Sequence, residues 1–223
     1  MDSTAQLSET GIIDVTAPPS CLAAEGLECI RNDMVLFSGL DLTLGRGEIL
    51  QIDGPNGSGK TSLLRIVSGL ALPAQGSVFW SGMNIHDYRT EYLGRIAYVG
   101  HNNGIKSELT PLENLDIALS LANSRSQVSP LEILGELGLR GYEDTPSGKL
   151  SSGQRRRVAL ARLLCLDADL WILDEPFTSV DESGRRMFKG KIEMHLDNDG
   201  MVIIVSHEPV EFPGHKLTKI RLK

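Results

Sequence analysis

The chain has 223 residues, of which 41% are hydrophobic and 23% charged, and its 22 Lys and Arg against 29 Asp and Glu give a formal charge of −7. This composition is typical of a soluble globular protein and excludes the disordered, collagen-like and disulfide-rich classes. Residues 1–30 carry five acidic and no basic side chains, so residues 31–223 hold 22 basic and 24 acidic groups. A core so nearly balanced lacks a broad basic surface, so we expect no nucleic-acid binding, whereas small anions remain possible ligands.

Cysteine content, hydrophobic runs and the N-terminal residues exclude several structural features: disulfides, a zinc site, a membrane span and a signal peptide. The three cysteines are widely spaced without a CxxC pair, so neither a disulfide framework nor a zinc site is predicted. No apolar run approaches the roughly 20 residues that span a bilayer, and the acidic N-terminus lacks signal-peptide features. Residues 1–24 are rich in Ser, Thr, Ala and Pro, which predicts a flexible tail before a single domain over 25–223.

In the first half of the chain, the apolar pattern predicts mainly strands. The predicted strands cover residues 27–30, 34–44, 48–53, 77–80 and 95–99. One helix is predicted over about 59–68, between a glycine-rich turn and the helix-ending Gly69 and Pro73.

The second half is predicted to alternate helices with apolar strands. Thr110 and Ser129 each precede a proline and, three positions on, a glutamate, which is the pattern of a capped helix start. Further elements are predicted as helices over 152–165 and 182–196 and strands over 170–173 and 201–205. Continuously apolar strands between helices predict an α/β fold whose parallel sheet is covered on both faces.

The glycine-rich turn after the third predicted strand matches the phosphate-loop pattern GxxxxGK[ST]. Its residues are Gly54, Pro55, Asn56, Gly57, Ser58, Gly59, Lys60 and Thr61, followed by Ser62, and together they are the predicted nucleotide-binding residues. The glycines allow backbone N–H groups to converge on phosphate oxygens at a helix N-terminus. Lys60 would add a positive charge at the β and γ phosphates, and the Thr61 hydroxyl would ligate Mg²⁺.

A second metal-binding group is predicted at the end of the strand over 170–173. Asp174 would hold Mg²⁺ through water, and Glu175, one residue further, would polarise the attacking water as the catalytic base. A nucleotide and Mg²⁺ are therefore the predicted ligands, and hydrolysis by the activated water is the predicted reaction.

A second anion site is predicted where the helix over 152–165 begins. The segment consists of Leu150, Ser151, Ser152, Gly153 and Gln154. A helix start rich in Ser and Gly offers free N–H donors and hydroxyls. Because the chain has only one phosphate loop, this second site is predicted to close over the nucleotide of a second copy in a head-to-tail dimer.

In these three motifs, in their order and in their spacing, residues 26–223 resemble the ATP-binding-cassette (ABC) ATPases. The phosphate loop corresponds to the Walker A motif, residues 150–154 to the signature motif and 170–175 to the Walker B strand. The resemblance implies a P-loop NTPase fold with a RecA-like parallel-sheet core, a small antiparallel β subdomain and a helical subdomain over about 102–165. It also implies that the chain is an ATP hydrolase whose nucleotide is ATP, bound with Mg²⁺. Asp181 would then lie in the D-loop, and His207 would be a catalytic residue that contacts the γ-phosphate.

The sequence departs from the usual family pattern at three positions. His101 stands where the Q-loop glutamine is usual, and Ser152 replaces the first glycine of the signature pair. The aromatic residue that normally stacks on adenine aligns near Arg31, whose guanidinium can also stack on a base, although the neighbouring Phe37 remains an alternative.

Within the family, residues 100–101, 104–110, 150–163 and 171–178 resemble the ATPase subunit of the haem exporter of cytochrome c maturation. This resemblance implies a peripheral location on the cytoplasmic side of the inner membrane, with membrane-spanning, haem-handling partner subunits, and a role in haem export or in releasing haem from its periplasmic chaperone. No direct haem binding is predicted, and the region 102–108 is the expected contact with the membrane subunits. Two alternatives are an ABC importer or exporter ATPase for another substrate and a soluble ABC protein outside transport.

Overall fold

The computed structural model describes residues 21–122, 128–206 and 208–223. The N-terminal half contains the strands β1 (Leu22–Arg31), β2 (Met34–Leu44), β3 (Ile49–Asp53), β4 (Gln75–Trp80), β5 (Met83–Asn84) and β6 (Ile96–Val99). Between them lie the helices α1 (Lys60–Val67) and α2 (Arg89–Leu93). The C-terminal half contains α3 (Pro111–Ala122), α4 (Pro130–Glu136), α5 (Ser152–Cys165), β7 (Leu170–Asp174), α6 (Glu182–Asp197), β8 (Met201–Val205) and β9 (Leu217–Arg221). No helix in these described ranges combines the length and hydrophobicity needed to cross a membrane.

Five of the strands form a wholly parallel sheet in the order β6-β7-β8-β3-β9. The inner strands β7, β8 and β3 are buried along almost their whole length, as predicted for a sheet that is covered by other elements on each face. Asp174 at the end of β7 pairs with Val205 at the end of β8, and Asp53 ends β3 beside Arg221 of β9. The carboxyl ends of these strands therefore share one edge, which is where ligands bind in open parallel sheets.

Two hydrophobic clusters cover the two faces of the parallel sheet. On β8, Val202 and Ile204 belong to the cluster formed with helices α3 to α6, whereas Met201, Ile203 and Val205 belong to the opposite cluster. That opposite cluster is closed by α1 and by a four-stranded antiparallel sheet in the order β2-β1-β4-β5. The parallel core and the antiparallel sheet thus confirm the predicted fold class.

The two predicted capped helix starts are present. Thr110 accepts a hydrogen bond from the Glu113 N–H through its Oγ1 at 3.2 Å and donates its own N–H to the Glu113 Oε2 at 2.8 Å. Ser129 accepts from the N–H of Glu132 at 3.5 Å at the start of α4. The helices α3, α4 and α5 share one cluster with the parallel sheet, and the boundaries 102–165 of a helical subdomain stay a prediction.

The predicted tail over 1–24 is wrong at its C-terminal end, because β1 already begins at Leu22. Leu22 and Ala24 are buried, and β1 pairs with both β2 and β4. A bulge next to Gly26, whose φ is 59°, breaks the alternation before it resumes at Leu27 and Cys29. Because of this irregularity, the alternation of apolar and polar residues does not reveal the first half of the strand. Residues 1–20 of the predicted tail lie outside the described residues.

Candidate active site

The predicted phosphate loop joins β3 to α1 in a geometry that only glycine allows at two positions. Gly54 has a φ of 149°, and a Cβ atom there would lie 2.7 Å from the Leu222 carbonyl oxygen. Gly59 has a φ of 95°, and its Cβ atom would lie 3.1 Å from the Cβ of Leu36. The loop is therefore held against β9 on one side and β2 on the other, and α1 begins at Gly59 without a side-chain cap.

Lys60 folds back across the mouth of this loop. Its Nζ donates to the carbonyl oxygens of Gly54 at 2.7 Å and Pro55 at 3.0 Å, and the residue is only 8% exposed. The ammonium group is thus held next to the loop by neutral acceptors. Phosphate oxygens are stronger acceptors for a charged donor, so this group can exchange these carbonyls for an anionic ligand.

Thr61 and Asp174 meet at the sheet edge, although 113 positions separate them in the sequence. The Thr61 Oγ1 donates to the Asp174 Oδ2 at 2.9 Å, and Asp174 is 3% exposed. A hydroxyl and a carboxylate oxygen this close are the hard ligands that Mg²⁺ prefers. These two residues therefore fit the predicted metal site.

Glu175 follows Asp174 in a left-handed backbone conformation with a φ of 50°. A non-glycine residue in this region stores roughly 1–3 kcal/mol of strain, which the surrounding structure must offset. The Glu175 N–H donates to the Val205 carbonyl at 3.0 Å, and the Thr178 hydroxyl donates to the Glu175 Oε2 at 3.3 Å. The chain thus reverses abruptly after β7 and keeps this carboxylate at the edge of the sheet.

A cleft of about 690 Å³ brings together predicted residues of the phosphate loop, of the end of β7 and of the Q-loop position. It is lined by Asn56, Gly57, Gly59, Lys60 and Thr61 of the phosphate loop and by Ser62, Asp174, Glu175, His101, Arg31, Asn32, Met34 and Leu36. Arg31 lies in this cleft, whereas Phe37 packs beneath Gly59 and joins the second hydrophobic cluster. This arrangement favours Arg31 over Phe37 as the side chain next to a base.

The predicted signature residues lie at the start of α5. The Ser151 Oγ accepts from the Gln154 N–H at 3.1 Å, and the Gln154 Oε1 accepts from the Ser151 N–H at 2.9 Å, which completes a capping box. Gly153 lies so close to the Ser179 carbonyl that a Cβ atom would approach it to 2.7 Å. Ser152 lines a smaller cavity of about 140 Å³ together with His101 and Glu175. Ser151 and Gln154 thus bond to each other, and neither lines the large cleft.

Asp181, the predicted D-loop residue, caps helix α6. Its Oδ1 accepts from the Gly184 N–H at 2.9 Å and from the Arg157 Nη2 at 2.6 Å. These two donors, the backbone N–H of Gly184 first, hold the pKa of Asp181 below its ordinary value. His207, which is predicted to be catalytic together with Glu175, lies outside the described residues.

The sequence analysis missed Arg156, which is 4% exposed. Its guanidinium donates to the carbonyl oxygens of Gly100 (2.8 Å), Asp174 (2.8 Å), Glu175 (2.9 Å) and Pro176 (3.3 Å) and to the Oδ1 of Asn103 (3.2 Å). Burial lowers the pKa of Arg156 from its ordinary value, and the negative charges of Asp174 and Glu175 oppose that change. The signal was its helical spacing to the buried Ala159, Leu160 and Leu163, which places it on the inner face of α5.

Comparisons with known proteins identify the family to which the chain is similar. A family model described as "ABC transporter" matches residues 37–178. The "Cytochrome c biogenesis ATP-binding export protein CcmA" of Methylococcus capsulatus is 48% identical over 86% of this chain and 94% of its own length. The protein of the same name from Escherichia coli strain K12 is 44% identical over 90% of this chain and 96% of its own length.

Solved structures share the fold at lower sequence identity. One chain, described as the ATP-binding subunit of an ABC transporter, has a TM-score of 0.77 at 22% identity and covers 84% of this chain and 80% of its own length. A dimeric structure of the ATP-binding cassette MJ0796 with ADP and Pi has a TM-score of 0.74 at 23% identity, covering 84% and 88%. With the family model and the close relatives in agreement, the chain belongs to the ATP-binding family of ABC transporters.

Proposed function

We propose that this chain is the ATP-hydrolysing subunit of an ABC transporter complex in cytochrome c maturation, where it couples hydrolysis to haem export or to release of haem from a periplasmic chaperone. The observation that carries the ATPase activity is the Thr61–Asp174 contact beside Lys60 in one cleft. Support for the cytochrome c assignment comes from relatives at 44–48% identity whose names state cytochrome c biogenesis and ATP-binding export.

The residues of the cleft have separate roles in phosphoryl transfer. The backbone N–H groups of the phosphate loop, which Pro55 lacks, and the Lys60 ammonium would bind the phosphates, and Thr61 and Asp174 would hold Mg²⁺, which would neutralise charge on the phosphate oxygens. Glu175 polarises the attacking water, and its position directly after the buried end of β7 keeps the carboxylate next to the phosphate loop. His207 is proposed to contact the γ-phosphate, and His101 occupies the Q-loop position.

A second copy of the chain completes the site. In the proposed head-to-tail dimer, Ser151, Ser152, Gly153 and Gln154 of one copy bind the nucleotide of the other, and Asp181 lies in the D-loop between the two. The protein is held at the cytoplasmic side of the inner membrane as a peripheral subunit by haem-handling membrane-spanning partners. It binds neither nucleic acid nor haem directly in this proposal.

Replacing Glu175 with glutamine tests the ATPase mechanism. Glu175→Gln should lower the ATP turnover of the purified protein roughly 10²-fold, the scale of a general base, because an amide cannot accept the proton from water. Binding of a fluorescent ATP analogue should be retained. Glu182→Gln, on the exposed first turn of α6, is the matched control and should keep its turnover. Unchanged turnover in Glu175→Gln would remove this residue from the proposed role.

Co-purification tests the transport assignment. The tagged chain, isolated from membranes solubilised in detergent, should bring with it membrane subunits that contain haem-handling segments. An unrelated permease in their place would contradict the cytochrome c assignment and would leave the ATPase mechanism standing.

A further inference from the structure

We propose that Arg156 is a positioning residue for the Glu175 carboxylate and that it ties the loop over residues 100–104 to that carboxylate. The inference rests on the proposed function, because it concerns how Glu175 is held for ATP hydrolysis. Arg156 lies on the inner face of α5, two residues after the signature segment, and its guanidinium group is enclosed by the end of β7 and by the loop that follows β6.

At the β7 end, three consecutive carbonyl oxygens converge on the one guanidinium. They belong to Asp174, Glu175 and Pro176, at 2.8 Å, 2.9 Å and 3.3 Å from its nitrogen atoms. In an extended strand, successive carbonyls point to opposite sides, so such convergence requires the reversal seen at Glu175. Arg156 thus stabilises the left-handed conformation that sets the direction of the Glu175 side chain.

At the other end, the same guanidinium holds the loop over 100–104. Its Nη1 donates to the Gly100 carbonyl and to the Asn103 Oδ1, on either side of His101. Arg162, farther along α5, donates to the Gly104 carbonyl at 2.6 Å and to that of Asn103 at 3.4 Å. The loop is therefore fastened by two arginines, but only Arg156 also reaches the backbone of Glu175.

This arrangement suits arginine and no other cation. A planar guanidinium presents five N–H donors in fixed directions, whereas the lysine ammonium is a compact charge with three donors. A displacement of the loop at Gly100 is passed to Glu175 through one rigid group. Because residues 102–108 are the expected contact with the membrane subunits, the link offers a path from those subunits to the water-activating carboxylate.

The first experiment separates turnover from binding in purified protein. Arg156→Gln should lower kcat roughly tenfold to a hundredfold, the scale of a small misplacement of a catalytic group. Its KM for ATP should change less than about threefold, because the phosphate loop is untouched. Arg162→Gln is the matched control: it releases the loop alone, so its kcat should stay within about threefold of wild type.

The second experiment asks whether Arg156 acts through Glu175. In the Glu175→Gln background, measured with radiolabelled ATP, adding Arg156→Gln should lower turnover by less than about twofold, since residues that act as a unit are not additive. A full additional loss in that background would overturn the inference, because the effect would not pass through the carboxylate.

A measurement of stability separates a loss of positioning from a loss of folding. Thermal unfolding shows whether Arg156→Gln folds; if it does not, Arg156→Lys retains the buried charge and should still lose at least about fivefold in kcat, as a point charge cannot reach every carbonyl. Wild-type kcat in either folded variant would overturn this inference alone. The proposed ATPase activity itself would fail if the wild-type chain did not hydrolyse ATP, a result that is distinct from wild-type kcat in an Arg156 variant.

Discussion

Helix α1 begins at Gly59 in a left-handed conformation without a side-chain cap, whereas α5 begins at Ser151 with a complete capping box. Both helix starts are predicted to bind phosphate, yet the first four N–H groups of a helix lack intrahelical partners and need some other acceptor. At α5, the Ser151 and Gln154 side chains supply that acceptor within the chain.

The two sites therefore differ in whether side chains of the same chain already occupy the N–H donors of the helix start. At α1 no side chain competes for the helix start, so a single chain can present it to a nucleotide. At α5 the cap already occupies two donors, and binding there relies on the remaining N–H groups and on the Ser152 hydroxyl. The first site is thus built by one chain, and the second becomes useful when another copy brings its nucleotide. The following three changes test that difference.

The largest effect is expected at the α1 site from Lys60→Ala. Loss of a charge-assisted hydrogen bond worth about 1.5–3 kcal/mol should weaken nucleotide binding roughly tenfold to a hundredfold. Titration with a fluorescent ATP analogue measures this, with Lys219→Ala on exposed β9 surface as the control. Unchanged affinity would show that the folded-back ammonium does not serve the nucleotide.

A smaller effect is expected from Gly59→Ala, which forces a side chain into the start of α1. The left-handed conformation should cost about 1–2 kcal/mol of unfolding free energy, with added crowding against Leu36. Gly190→Ala, in open space on α6, should instead stabilise by about 0.5–1 kcal/mol. Urea denaturation compares the two, and equal changes would mean that the α1 start needs no glycine.

The smallest effect is expected at α5 from Ser151→Ala. Removing the cap should lower the free energy of unfolding by about 1 kcal/mol, while Ser151→Asn should preserve it. Affinity of the single chain for the ATP analogue should remain at the wild-type value. A drop as large as that of Lys60→Ala would contradict the separation of the two sites.

Local features of the site could be predicted from the sequence, because each lies within a few residues. The phosphate loop, the apolar strand before Asp174 and the caps at Thr110 and Ser129 are of this kind. The sequence predicts that Thr61 and Asp174 lie close together only because their two motifs are assigned to the same Mg²⁺. Its physical basis is the strand order β7-β8-β3, which no local pattern specifies.

Features that depend on tertiary contacts were harder to predict. Arg156 stands in a run of three arginines, residues 155–157, and such a run is typical of a solvated helix face. The carbonyls at the end of β7 supply the acceptors that make its burial favourable. The strand β9 alternates charged with apolar residues and was missed, as was the short helix α2. Pairing with the central β3 makes β9 a strand despite its weak pattern.

The approach of Leu222 to Gly54 has a consequence for the order of folding. The Leu222 N–H donates to the Asp53 carbonyl at 2.9 Å, and its own carbonyl occupies the space where Gly54 has no side chain. Since β3 pairs with β8 and β9, its two neighbours leave the ribosome more than a hundred residues after it does. Contacts so distant in sequence form slowly. During synthesis, the phosphate loop can therefore reach its final conformation only after residue 222 has been made. The chain thus gains the ability to bind ATP late.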